Sequence, residues 1–293
     1  MTSANIQKPS GWVRFKTQLR RQGIASWVAL VVMLAVALTW LFPLYMAVIN
    51  AVKTPLDFIQ HGSLSLPQGI HFDAIIKFSE DVNFGEKVWN SIQISFFIAL
   101  IGVVISFLNA YALGIGKVKG RMVILAIFMI AFTIPQEGLI YPLYQAATAV
   151  GLYDNIWSVI IVNAILMSAF GTYMLSSVLS TFPEEILEAA KIDGAGSARM
   201  LFNIVLPIIR PTIMVLATLF FIWSWNDFLF PLVLLPSNDN QTVALALGVT
   251  TGQWTSDPTT KAAAALVGLL PSVIFFVIFQ RTLMRGVAVG AVK

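Results

Sequence analysis

An all-α membrane protein with six transmembrane helices and both termini in the cytoplasm is the fold class this sequence predicts. Three observations lead there. Of the 293 residues, 58% are apolar and only 11% charged, and mean hydropathy is +0.83. A soluble domain carries roughly 25% charged residues, and a disordered chain is poorer still in apolar ones. The apolar residues also come in runs close to the ~20 residues that cross a bilayer core. Lys and Arg fall in the gaps between those runs, so the net charge of +4 reports membrane orientation and not a nucleic-acid footprint. Cysteine is absent, which excludes disulfide scaffolds, zinc–cysteine sites, iron–sulfur clusters and thiol catalysis.

The first uncharged run extends from Ile24 to Val52 and is ended by Lys53. It exceeds the roughly 7–15 apolar residues of a secretory signal, so residues 1–23 read as a basic tail and 24–52 as a retained span. Residues 53–87 form an external loop too small for an independent catalytic domain. The second span runs from Val88 to Gly116, and the third from Met122 to the break at Ile134-Pro135-Gln136-Glu137. The fourth follows Asp154-Asn155 and ends near Phe182-Pro183. The fifth begins around Ile204 and thins out at Trp223-Ser224-Trp225-Asn226-Asp227, and the last covers Ala262 to Phe279. Prolines inside these runs are tolerated where neighbouring helices satisfy the freed carbonyls. With the N-terminus inside, fourteen of the eighteen Lys and Arg residues are cytoplasmic and only Lys53, Lys77, Lys87 and Lys261 lie outside. That asymmetry sets the orientation, and residues 287–293 become a cytoplasmic C-terminal tail.

Catalytic patterns are missing. The only histidines, His61 and His71, fall in the external loop and read as solvated polar residues, not metal ligands. Neither H-E-x-x-H nor G-x-S-x-G occurs, and no acidic pair sits within a span. Gly114-Ile115-Gly116-Lys117 lacks the upstream Gly and the following Ser/Thr of a phosphate loop, so its glycine is read as a span end. The expectation is a chain with no catalytic residue, no metal site and no cofactor of its own.

The informative segment is the cytoplasmic connection 183–211. Pro183 suits a first helical position, and Glu184 and Glu185 complement the helix dipole. Leu187, Ala190 and Gly194 share one face. Gly194 and Gly196 are both able to take the positive φ that ends a helix, and Ser197 is a plausible N-cap for a second short helix running to Leu206-Pro207. An amphipathic membrane-surface helix would want Lys and Arg opposite bulky apolar residues. This one carries three glutamates and one lysine, and small residues flanked by charge suit close docking into a protein groove.

Glu188-Ala189-Ala190, then three residues, Gly194, then nine residues, then Ile204-Val205-Leu206-Pro207 resembles the complete EAA signature of ABC importer permeases. Asn90-Ser91, Ala110-Tyr111-Ala112-Leu113, Pro142-Leu143-Tyr144, Gly151-Leu152, Trp225-Asn226-Asp227-Phe228 and the ending Phe279-Gln280-Arg281…Gly290-Ala291-Val292-Lys293 are similar to the carbohydrate branch. Within that branch the likeness is to the six-span partner subunit of MalG type. Thr282 departs from it, standing where an aromatic is expected. The resemblance implies a type I importer fold with residues 88–286 as permease core. It implies a homologous second permease forming a heterodimer, two ABC ATPases that bind ATP and Mg, and an extracytoplasmic solute-binding protein. The setting is a bacterial or archaeal cell membrane. Glu188, Ala189, Ala190, Asp193, Gly194, Ile204, Leu206 and Pro207 would couple the chain to the ATPase, whose closure switches a central cavity from inward- to outward-facing.

A sugar pathway wants aromatic faces with hydrogen-bonding groups beside them. Trp223, Trp225, Asn226 and Asp227 after span five, and Gln253 and Trp254 before span six, are candidates for substrate or binding-protein contact. Interfacial Trp also gathers without any ligand. Residues 238–260 read as a docking element for the binding protein. Glu137 lies by a turn or along the pathway, and Asn163 is read as an interhelical hydrogen-bond partner. Import of a di- or oligosaccharide is the leading expectation. Glycerol phosphate, a polyamine or another small solute would leave the EAA loop unchanged. An ion-coupled secondary transporter is opposed by the scarcity of ionisable residues within spans and by the lack of inverted repeats. A membrane enzyme would need a catalytic constellation that the sequence does not offer.

Overall fold

The computed structural model describes residues 24–116, 118–253 and 257–291, and every regular element among them is helical. Five helices are long and apolar enough to span a membrane. They are α1 (Ile24–Ala51), α4 (Phe84–Gly114), α7 (Ile156–Leu179), α9 (Ser197–Trp225) and α12 (Pro258–Ala291). Short helices α2 (Pro55–His61) and α3 (Asp73–Asp81) fill the loop after α1, and α8 (Glu184–Ile192) precedes α9. After α9 come α10 (Leu229–Leu234) and α11 (Val243–Gln253).

The expected third span is corrected. Helix α5 (Arg121–Thr133) has 13 residues, about 20 Å of rise, short of the ~30 Å core. It meets α6 (Gln136–Ala149) at 91°, so the pair supplies a sixth crossing only if taken as one broken span. Pro135 is the cause, because the residue before a proline is driven out of the α region; Ile134 is extended, with ψ 126.

Helices α4, α7 and α9 form the centre, α4 packing most extensively on α7. Close approach rests on small residues, as expected where no hydrophobic driving force acts between helices in lipid. Ser91, Ser95, Ala99, Gly102, Ser106 and Ala110 line the buried face of α4, and Ala164, Ser168, Gly171 and Thr172 that of α7. The Ser106 hydroxyl donates to the Gly102 carbonyl at 2.6 Å. Phe220 of α9, fully buried, wedges into this seam. A Cβ on Gly171 would stand 2.2 Å from Ser106 Oγ and 2.9 Å from Phe220 Cζ. Helix α1 packs on α12 and, among its described side chains, buries only those of its last turn, Ile49, Asn50 and Ala51, presenting the other apolar ones outward.

Two lysines assigned to the exterior are buried. Lys53 Nζ donates to the Gly62 carbonyl at 2.9 Å and to Ser65 Oγ at 3.0 Å. Lys87, expected just ahead of its span, lies in the first turn of α4. In the same loop the Gln68 N–H donates to Asp57 at 3.0 Å. That bond holds the Asp57 carboxyl below the ordinary carboxylate value against the opposing effect of burial, and His61 and Lys53 add to the lowering. A depressed carboxyl contributes stability above its unfolded pKa and loses it as pH falls through the folded one. Hydrogen exchange at the Gln68 amide should therefore stay protected down to about pH 4 and lose protection below it. Asp57→Asn should weaken protection at pH 7 and flatten the dependence; a profile identical to the parent would exclude this carboxylate as the cause.

Candidate functional site

At the end of the bundle where α4 and α7 finish, α8 begins behind Pro183 and stops at Gly194. The stop is a Schellman motif, in which the residues after the helix bond back to its last carbonyls. The Ala195 N–H donates to the Ala190 carbonyl at 2.9 Å and the Gly194 N–H to that of Lys191 at 3.0 Å. Gly194 has φ +76, as the turn requires. Gly196 does not share that role, because its φ of −70 and ψ of 169 are extended and it precedes the next helix as N-cap in place of Ser197. That second helix is not short either. It is the start of α9 itself, widening into a π-helical stretch, Met200–Val205, and running on through Leu206-Pro207 without a break. The wider turn relieves the clash that Pro207 would otherwise make with the carbonyl four residues earlier.

Side chains on α8 divide cleanly. Ala190 is buried, and Leu187 is half-buried in a cleft shared with Tyr111, Ile115 and Met200. Glu188, Ala189, Asp193 and Gly194 are exposed. Glu185, Ile186, Ala189, Asp193, Arg199 and Asn203 surround an open concavity between α8 and the start of α9. Ile204 lines it too; Leu206 is half-buried and Pro207 exposed. Two surface residues escape sequence inspection: Ile192 is 86% exposed and Phe202 55%. Helical spacing alone would assign such residues to the core.

At the opposite end the candidate contacts separate. Trp225 is 5% exposed, its ring stacked on Phe221 and set edge-on to Phe275, so it is a packing residue here. Asn226 is exposed, its amide donating to the Ile222 carbonyl at 2.8 Å. Asp227 accepts from Asn163 Nδ2 at 2.8 Å and from the Leu229 N–H at 3.1 Å, tying the break after α9 to α7. Asn163, expected to bond between helices, bonds from α7 to the non-helical break after α9. Glu137 is exposed in the first turn of α6, immediately after the bend. Trp254 and the side chain of Gln253 lie outside the described residues.

One arrangement at this end was not anticipated. The chain between α10 and α11 is clamped by α4: Lys87 Nζ donates to the Asn238 carbonyl, and Asn90 Nδ2 to that of Asp239 at 2.6 Å. Ser91 Oγ accepts from the Val243 N–H at 2.9 Å. From the turn before α7, Asp154 accepts from the Ser237 hydroxyl at 2.8 Å. These side chains lie roughly 80 to 150 residues from their partners, beyond any local pattern.

Residues 22–289 match the binding-protein-dependent transport system inner membrane component family. The chain belongs to this family. Among relatives of this inner-membrane component is the "Probable starch degradation products transport system permease protein AmyC" of Thermoanaerobacterium thermosulfurigenes. It is 29% identical over 94% of this chain and 100% of its own length. The "Arabinooligosaccharides transport system permease protein AraQ" of Halalkalibacterium halodurans is 30% identical over 92% and 97% of the two chains. In fold, the component resembles a chain of a bacterial ABC transporter involved in import of the acidic polysaccharide alginate. The TM-score there is 0.74 at 20% identity, covering 88% of this chain and 96% of the other. The component is thus a multi-pass membrane subunit of a transport system.

Proposed function

We propose that this chain is one permease subunit of an ATP-driven importer that passes a di- or oligosaccharide, handed over by an external binding protein, across a bacterial or archaeal cell membrane. A homologous second permease completes the pathway, and two ABC ATPase subunits, which bind the ATP and Mg, drive it. Both termini and α8 lie in the cytoplasm, following the Lys and Arg distribution. The observation that carries the coupling is the surface of α8. A short helix closed by Gly194 offers Ala189 between Glu185, Glu188 and Asp193, with Ile192 projecting beside them. Small residues permit close approach, the acids select a basic cleft, and an exposed isoleucine supplies an apolar anchor. The carbohydrate cargo is supported by the relatives, whose names refer to starch degradation products and arabinooligosaccharides. On this reading Asn226 and Glu137 are the exposed candidates for the pathway, and the clamped chain before α11 presents a fixed surface to the binding protein.

Affinity purification of the tagged chain in mild detergent, with mass spectrometry of its companions, tests the assembly. The expected companions are a Walker-type ATPase and a second permease, and the co-purified binding protein should take up an oligosaccharide in a ligand screen. A homo-oligomer free of ATPase would overturn the reading.

A further inference from the structure

A polar cleft opens at the α8 end of the bundle, away from α8 itself, where α5 starts beside the last turns of α4 and α7. Gly114 makes the junction tight, since a Cβ there would lie 2.7 Å from Leu179 Cβ. The cleft is lined by Arg121, Tyr173, Ser176, Ser177 and Ser180, with Leu113, Gly114, Met122 and Leu125 as its apolar part. Among the described residues no carboxylate lines it. Arg121, the first residue of α5, is exposed and pairs with no acid among the described residues. Ser176, 2% exposed, lies beneath the cleft floor, and its enclosed hydroxyl has no hydrogen-bond partner among the described residues. A buried hydroxyl normally has one.

One guanidinium, the Tyr173 and Ser177 hydroxyls and no acid make a site for an oxyanion, while the Ser180 hydroxyl at its edge donates to the Ser177 carbonyl at 2.8 Å. Guanidinium matches a phosphate with paired hydrogen bonds. The position narrows the source. The cleft lies at the bundle end to which the Lys and Arg distribution assigns the cytoplasmic face, and below it Met122, 70% exposed, continues along the apolar flank of α5. Basic pockets between transmembrane helices at this level suit anionic lipid headgroups. We infer that the cleft binds a phosphate group carried by an anionic phospholipid, its acyl chain lying along Met122 and Leu125.

The test is thermal unfolding of the purified full chain, within its assembly, in neutral detergent titrated with phosphatidylglycerol. Phosphatidylcholine of the same acyl chains and inorganic phosphate serve as separate arms. Phosphatidylglycerol is expected to raise the midpoint, with apparent affinity about tenfold weaker in Arg121→Gln, as for loss of one charge-assisted pair. Arg210→Gln, which removes another exposed cation from α9, should respond as the parent does. Ser180→Leu, which fills the mouth and keeps Arg121, should match Arg121→Gln. Equal responses of the parent and Arg121→Gln would overturn the site. A response to inorganic phosphate without one to phosphatidylglycerol would assign it to a free anion and overturn the lipid.

Discussion

Ala189→Glu is expected to abolish ATP-driven uptake while the protein stays in the membrane at the parent's level. Ala189 is exposed beside Glu185 and Asp193, so a longer side chain meets nothing within the chain. Any loss must then arise where α8 seats on a partner. A fourth carboxylate on the docking face adds bulk to a close approach, and misplaced charge at an interface costs several kcal/mol, enough to lower coupled transport by more than about a hundredfold. Ala190→Glu separates this from simple unfolding. Ala190 is buried and its carbonyl accepts the bond that closes the helix, so a carboxylate there should destabilise the loop itself and lower membrane levels. Uptake and immunoblotting of both variants suffice. Normal uptake by Ala189→Glu would sink the docking proposal.

What the residues disclosed and what they concealed follow from the range of the interactions. The boundary at Lys53 was legible because a long apolar run reports its own ends, whereas the second span, expected to reach Gly116, ends at Gly114. The turn at Gly194 was legible because positive φ is a local demand. The bend at Pro135 was only half legible: proline marked the break, whereas its angle depends on how α6 packs. The continuation of α9 through Pro207 was hidden, since a π-helical stretch is no property of composition. Lys87 and Trp225 were misplaced for a shared reason. Hydropathy treats a lysine as an interface marker and a terminal tryptophan as a belt residue, while the partners that bury them, Asn238 and Phe275, lie far along the chain. The acceptors at Asn238 and Asp239 reach across the fold to α4, and Asp154 to Ser237, and no spacing rule connects either pair.

Gly171→Ala should lower the unfolding midpoint sharply although it adds a single methyl. That methyl would fall 2.2 Å from Ser106 Oγ, 2.8 Å from Ser106 Cβ and 2.9 Å from Phe220 Cζ, none of which real Cβ atoms approach so closely. Phe220 is fully buried and Gly102 stands behind its ring, so a shift of the aromatic meets α4 in turn. Overpacking of this kind costs about 1–3 kcal/mol, and the seam it opens is the most extensive in the bundle. Helix propensity acts the other way, since alanine exceeds glycine by about 1 kcal/mol, and a net loss would show that the interhelical clash prevails. Removing the opposing side chain supplies the decisive comparison. Ser106→Gly on its own should be mildly destabilising, yet added to Gly171→Ala it should recover part of the midpoint, a coupling that independent sites would not show. Additive losses in thermal unfolding of the purified chain would mean that α4 and α7 do not meet at these two residues.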